Sequence, residues 1–256
     1  MRLLCWSSLG LAVAVSATIA LAPAQAGTVN AAVAANFAEV AEQLGADFKA
    51  ASGHDLVFSF GATGALYTQI TQAAPFDVFF SADAKRTQTA IDEGFAVAGT
   101  DFTYAVGRLV LYSPTIDVTD GAAVLKGGAF RHLAIASPRT APYGAAAIAV
   151  LEALGLTEAV TSKIVTGENI TQAHQYVASG NAELGFVALS QVFDSGRFTS
   201  GSAWLVPQRL HAPIRQDAAL LVAGRDNAAA HAWLAFLKTN AARETIRRYG
   251  YEVPTE

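Results

Sequence analysis

The sequence predicts an α/β fold in which helices flank parallel sheets, and three observations carry that prediction. Apolar runs of strand length alternate with amphipathic runs of helical period, the pattern of repeated strand–helix units. Apolar residues make up 52% of the chain and charged ones 15%, enough apolar matter for a large core. No repeat, low-complexity tract or Pro/Ser-rich linker divides the chain. Its length permits one or two domains, so a two-lobed arrangement has to be joined by structured crossovers.

Residues 1–26 stand apart from the fold. Met1-Arg2 is a short basic start, Leu3 to Ala22 an apolar core and Ala24-Gln25-Ala26 a small-x-small cleavage site, which together read as a secretory signal peptide. The alternative, an uncleaved membrane anchor, is disfavoured because the apolar core is rich in Ala and Ser and ends in a cleavage site. Cys5 precedes that core, so it is not a lipoprotein cysteine, and the mature chain of 230 residues carries no thiol for redox chemistry. Without Arg2 the balance is 16 basic to 21 acidic residues, about −5, which offers no footprint for nucleic acid.

Val29 to Val33 is the first strand-like run, and it breaks at Asn36 into a helical pattern over Phe37 to Ala51. Phe37, Val40, Ala41, Leu44 and Phe48 keep the i, i+3, i+4 rhythm of one buried face. Asn36 with Glu39 has the form of a capping box, which leaves backbone N–H groups outward at the end of a strand, where anions are attracted. Leu56 to Phe60 is the second strand. At Gly61-Ala62-Thr63-Gly64 the chain turns into a helix over Ala65 to Ala73, with Thr63 a natural N-cap and the glycines admitting a ligand close to the backbone. Val78 to Phe80 reads as a strand and Lys85 to Glu93 as a helix. Asp77 and Asp83, which flank that strand, read as capping or surface acids, not as a catalytic pair.

Leu109 to Tyr112 and Leu133 to Ala136 are strands, and Pro142 is suited to the start of the helix over Ala145 to Leu154. Asn169-Ile170-Thr171 puts cap-forming residues ahead of a helix over Gln172 to Ser179. Leu184 to Val187 and Leu220 to Val222 read as strands, and Ala228 to Lys238 and Ala241 to Tyr249 as closing helices, with Trp233, Phe236 and Leu237 in the core. Crossovers between lobes are expected near Tyr104 to Arg108 and Ile214 to Ala218, dividing the chain into residues 27–105 with 218–256 and residues 106–217.

Catalytic signatures are missing: there is no G-x-S-x-G, H-E-x-x-H, Walker loop or complete G-x-G-x-x-G. The five His residues lack metal-ligand spacing. What the chain does carry is four candidate helix starts, at Asn36, Thr63, Pro142 and Asn169, equipped with neutral donors instead of Arg or Lys. Backbone N–H groups with Thr and Tyr hydroxyls hold an ionised oxyanion through charge-assisted hydrogen bonds of about 1.5–3 kcal/mol each. Four such bonds, less the cost of association, reach micromolar affinity, about −8 kcal/mol. The plainer reading is that these residues are ordinary caps.

These segments together resemble the periplasmic molybdate-binding proteins of ABC importers, in the branch with Asn-Phe at the first helix start. The matching stretches are Ala34-Ala35-Asn36-Phe37, Ser59 to Gly64, Ala74 to Asp83, Ala141-Pro142-Tyr143-Gly144, Gln172-Ala173-His174 and Leu184 to Leu189, spread in order over the mature chain. The resemblance implies a type II periplasmic-binding-protein fold, two α/β lobes with a cleft and two crossover strands. It implies capture of molybdate or tungstate for the permease of an ABC importer in the inner membrane, by a periplasmic monomer with no enzymatic activity and no cofactor. Carried over by residue, Ala35 and Asn36 offer N–H groups, Thr63 its hydroxyl and N–H, Tyr143 the oxyanion-facing position across the cleft, and Ile170 a backbone donor. No metal is expected other than the metalate itself. The chain departs from the pattern at Ala35, where relatives have a hydroxyl residue, and at Ala188, where another branch has a Tyr that Tyr143 is expected to replace. A sulfate- or thiosulfate-type binder is the alternative within the class. A secreted α/β enzyme, the alternative outside it, would need a nucleophile or acid/base pair that the four turns do not carry.

Overall fold

The computed structural model describes residues 26–254, so the signal peptide and membrane-anchor readings of the N-terminus lie outside the described residues. The chain begins with β1 (Thr28–Ala34), a 3-10 turn over Ala35–Phe37, α1 (Ala38–Ser52), β2 (Asp55–Gly61), α2 (Thr63–Thr71), β3 (Val78–Phe80), α3 (Ala84–Asp92) and β4 (Phe102–Gly107). A second group follows: β5 (Leu109–Ser113), α4 (Gly121–Gly127), β6 (Leu133–Ala136), α5 (Pro142–Ala153), α6 (Thr157–Thr161), β7 (Ile164–Gly167), α7 (Ile170–Ala178), β8 (Leu184–Ala188), the short hairpin β9 (Phe193–Asp194) and β10 (Arg197–Phe198), and β11 (Ser202–Leu205). The chain then returns through β12 (Ile214–Leu220) to α8 (Ala228–Leu237) and α9 (Asn240–Arg248).

Two five-stranded sheets result, one per lobe, in the orders β2-β1-β3-β12-β4 and β11-β5-β8-β6-β7. Only Arg108 separates β4 in the first sheet from β5 in the second. The sheets are mixed, not wholly parallel: β1 runs parallel to β2 and β3, and β6 to β7 and β8, but β12 is antiparallel to β3 and β4, and β5 to β8 and β11. The cause is connectivity. Helical crossovers within a lobe return the chain in the same direction, whereas a strand arriving from the other lobe takes the direction of its entry.

Both faces of the first sheet are covered, and side-chain alternation shows how. Val29, Ala31 and Val33 of β1 and Val78 and Phe80 of β3 face the core beneath α1, α8 and α9. Ala32 and Phe79 face the opposite core, beneath α2 and α3. Phe37, fully buried, meets Tyr104 and Tyr251 edge-on with centroids 4.8 and 5.6 Å away. Edge-to-face pairs of this kind contribute about 0.5–1.5 kcal/mol each beyond area burial, so the turn that carries Asn36 is rigidly seated. In the second lobe Leu109, Leu111, Ile135, Phe186 and Val187 pack with the inner faces of α5 and α7.

Several expectations are corrected. Asn36 is not a capping residue: it lies inside the 3-10 turn, the N-cap of α1 is Phe37, and no side chain caps either. Thr63 is the first residue of α2, not its cap, and Ala62 holds the cap position. The strand expected over Leu220–Val222 is β12, ending at Leu220, with a 3-10 turn over Val222–Gly224. Gln216 and Asp217 hid its earlier part, because polar residues in the middle of a strand imitate a loop. The chain also forms β4, β7, β11, α4 and α6, none of which its apolar pattern announces. The segments expected as crossovers are β4 and β12 themselves, which pair with each other in register Ile214 to Gly107.

Candidate binding site

Four helix starts meet where the lobes face each other. The 3-10 turn before α1 and the start of α2 come from the first lobe, the starts of α5 and α7 from the second. Between them lies a cavity of about 10 Å³ lined by residues 34–36, 61–63, Ala82, 141–143, Asn169 and Ile170. A space of that size holds roughly one water-sized body, far below the ~300–1,000 Å³ of a pocket for an organic solute. All five residues expected at the site, Ala35, Asn36, Thr63, Tyr143 and Ile170, line it, and no charged side chain does.

Helix geometry explains why donors collect there. The first N–H groups of a helix have no intrahelical acceptor, and no side chain caps the 3-10 turn, α2 or α5. At α7 the Asn169 side chain does cap, taking the Gln172 N–H at 3.0 Å, which leaves the Ile170 N–H earlier in the turn. At α5, Pro142 occupies the first position and brings no N–H, so Tyr143 supplies the first donor. The aligned helix dipoles add positive potential at the same point. Thr63, 1% exposed, accepts from the Ala82 N–H at 3.0 Å through its Oγ1, which leaves the hydroxyl proton to donate elsewhere.

Tyr143 departs from expectation. Its hydroxyl accepts from Gln216 Nε2 at 3.3 Å and lies against Gly107, and neither Gln216 nor Gly107 lines the cavity. The residue therefore presents its backbone to the cavity and its phenol to the crossover strands. A Cβ at residue 107 would come within 2.1 Å of that hydroxyl, so glycine is required there by close approach. Ala188 lies outside the cavity, its N–H bound to Gln191 Oε1 at 3.0 Å. Asp83 caps α3 through the Arg86 N–H at 2.6 Å and pairs with Arg86 Nη1 at 2.6 Å, as expected, whereas Asp77 is neither a cap nor a surface acid: it is buried and accepts from the Asn30 N–H at 2.7 Å.

Beneath the cavity lies a polar network that the sequence did not announce. Asn36 Nδ2 donates to Gln216 Oε1 at 2.8 Å and to the Tyr251 hydroxyl at 3.0 Å. The Asn36 carbonyl accepts from the Ser190 hydroxyl at 2.9 Å and lies 2.7 Å from that of Tyr251. The Ala35 carbonyl accepts from Thr171 Oγ1 at 3.3 Å. With both carbonyls held, the trans peptide planes turn the N–H groups of the following residues, Asn36 and Phe37, the other way. Burial raises the phenols of Tyr104 and Tyr143 well above their ordinary range and that of Tyr251 to about 12, so the network is uncharged at neutral pH. Gln216 stands in the polar run Arg215-Gln216-Asp217, which resembles a loop, so no local pattern pointed to it.

The lobes also touch at the rim of the site. The Gly64 N–H donates to the Thr140 carbonyl at 2.8 Å, and Arg86 Nη2 to the Arg139 carbonyl at 3.1 Å.

Comparison with known proteins agrees with this architecture. Residues 29–252 match the family model described as bacterial extracellular solute-binding protein. The chain is 53% identical over 242 residues to the molybdate-binding protein ModA of Azotobacter vinelandii, covering 94% of this chain and 96% of that one. It is 55% identical over 230 residues to ModA of Rhodobacter capsulatus, covering 90% of each. The solved periplasmic molybdate-binding protein of Azotobacter vinelandii superposes with a TM-score of 0.86 at 39% identity, over 89% of this chain and all of that one. With its two mixed sheets, its interlobe cavity and these similarities along nearly its whole length, the chain belongs to the bacterial extracellular solute-binding proteins, in the branch of the ModA molybdate-binding proteins.

Proposed function

We propose that this protein captures molybdate, and tungstate with it, outside the cytoplasmic membrane and delivers it to the permease of an ABC importer. The observation that carries the reading is the donor set: four helix starts and Thr63 converge on one cavity between the lobes that no charged side chain lines. Such a site stabilises a dianion through hydrogen bonds and helix polarity alone. The names of the relatives from Azotobacter and Rhodobacter support the choice of metalate.

The ligand set is the N–H groups of Ala35, Asn36, Thr63, Tyr143 and Ile170 with the Thr63 hydroxyl. Phosphate near neutral pH keeps a proton that seeks an acceptor, and a site built of donors leaves it unpaired. Sulfate has the right charge but shorter bonds, so a site sized for a metalate stretches every hydrogen bond to it. Tungstate is nearly isosteric with molybdate and is bound as well. Capture proceeds by closure of the two lobes about the crossovers next to β4 and β12, with ligand contacts from both lobes favouring the closed form. No described helix is long and apolar enough to cross a membrane, and the N-terminal segment serves as a secretory signal for a periplasmic monomer that catalyses no reaction.

Calorimetric titration of the mature chain tests this. Molybdate and tungstate are expected to bind and phosphate not, and ligand at a thousandfold its Kd adds about 4 kcal/mol of stability, raising Tm by roughly 8–16 °C. Absence of any response to either metalate refutes the reading. A stronger response to sulfate or thiosulfate would assign the site to those anions instead.

A further inference from the structure

We propose that Gln216 is the positioning residue that couples the oxyanion site to closure of the lobes. The inference rests on the oxyanion reading for what fills the site, but its evidence is the geometry of the crossover strands. Gln216 sits in β12 next to a register shift in the pairing with β4, between Gln216 and Asp217, the kind of irregularity that re-aims a side chain. It is fully buried. On one side its Oε1 accepts from Asn36 Nδ2 at 2.8 Å and from the Tyr104 hydroxyl at 3.0 Å, both in the first lobe. On the other its Nε2 donates to the Tyr143 hydroxyl at 3.3 Å, on α5 of the second lobe.

Asn36 and Tyr143 both line the cavity, from opposite lobes, so one carboxamide ties the two halves of the site together from below. A second tie runs in parallel, from the Ser190 hydroxyl of the second lobe to the Asn36 carbonyl at 2.9 Å and to the Tyr251 hydroxyl at 3.0 Å. The contact with Tyr143 exists only because residue 107 has no Cβ, since one would lie 2.6 Å from Gln216 Nε2. The titratable groups around the carboxamide are the phenols of Tyr104, Tyr143 and Tyr251, with Asp217 next in the chain bound to Thr103 Oγ1 at 2.7 Å. Opening the lobes breaks the Tyr143 bond while leaving the Asn36 and Tyr104 bonds intact, so Gln216 acts on closure rather than on either lobe alone.

The mature chain has no cysteine, so spin labels go only where cysteine is introduced, at Gln88→Cys on α3 and Glu158→Cys on α6, both exposed. Interlobe distances are measured in the full mature chain with and without molybdate, for the parent sequence, for Gln216→Leu and for Tyr143→Phe, which spares the first-lobe bonds. Both variants are expected to shift the distribution to longer distances and to raise the molybdate off-rate at least tenfold, with the on-rate within twofold. Distance distributions matching the parent in every condition overturn the proposal, also where Tm falls, since that is the signature of a purely structural residue. A parent chain that binds no metalate refutes the oxyanion reading, while its distances against those of the variants still decide the role of Gln216.

Discussion

Replacing Thr63 by Ala removes one hydroxyl and with it two hydrogen bonds of different kinds. The first is the bond the hydroxyl proton makes to the captured oxyanion. Its loss affects the bound state alone, and a hydrogen bond to a charged partner is worth about 1.5–3 kcal/mol. At 1.4 kcal/mol per decade that raises Kd roughly ten- to 150-fold. The second is the bond that Thr63 Oγ1 accepts from the Ala82 N–H at 3.0 Å, at a position 1% exposed. Its loss leaves a buried donor unpaired in free and bound protein alike, at about 1–3 kcal/mol of folding stability. For a chain of 230 residues that lowers Tm by roughly 2–12 °C, and it cancels from the binding equilibrium. Titration calorimetry and thermal unfolding therefore separate the two, and Thr63→Ser, which keeps the hydroxyl, is expected within threefold of the parent Kd. A Thr63→Ala variant with lowered Tm but parental Kd would refute the assignment, because it would show the hydroxyl serving Ala82 and nothing else.

Gly64→Ala puts a Cβ 3.1 Å from the Thr140 Cα and 3.1 Å from Arg86 Nη2, where the lobes meet, so closure becomes tighter by about 1 kcal/mol of overpacking. A five- to tenfold weaker Kd, read in the same titration, is the expected outcome. Molybdate affinity is expected to vary less than threefold between pH 6.5 and 9, since no charged side chain lines the cavity and burial holds the Tyr251 phenol at about 12. A sigmoidal profile in that range would show a titrating group at the site. Glu183 has its carboxyl lowered to about 2, chiefly by the His132 N–H at 2.9 Å, with Arg131 at 2.8 Å adding to it. A depressed carboxyl stabilises the fold fully above its ordinary value of 4.5 and loses that contribution as pH falls from 4.5 to 2. Glu183→Gln should cost about 1 kcal/mol at pH 7 and flatten urea-monitored stability over that acidic window.

The helix starts were legible because they depend on local chemistry. Pro142 and Asn169 announce helices wherever they fall, and the structure has α5 begin at Pro142 and Asn169 cap α7. Thr63 and Asn36 were read correctly as marking such starts but wrongly as caps, since whether a side chain turns back to its own backbone depends on what else it can reach. Asn36 reaches Gln216 and Tyr251, residues 180 and 215 positions away in the chain. No local pattern encodes a partner at that distance.

The alternation of strands and helices, the four helix starts and the lack of charged residues at them could be read from the chain alone, because propensity and composition act over a few residues. The mixed sheets, the turn of the Tyr143 phenol toward Gln216 and the link that β12 makes between the lobes appear only once distant segments have met. Strand direction, side-chain aim and the sharing of one buried carboxamide are all set by which segments meet after the chain has crossed to the second lobe and returned.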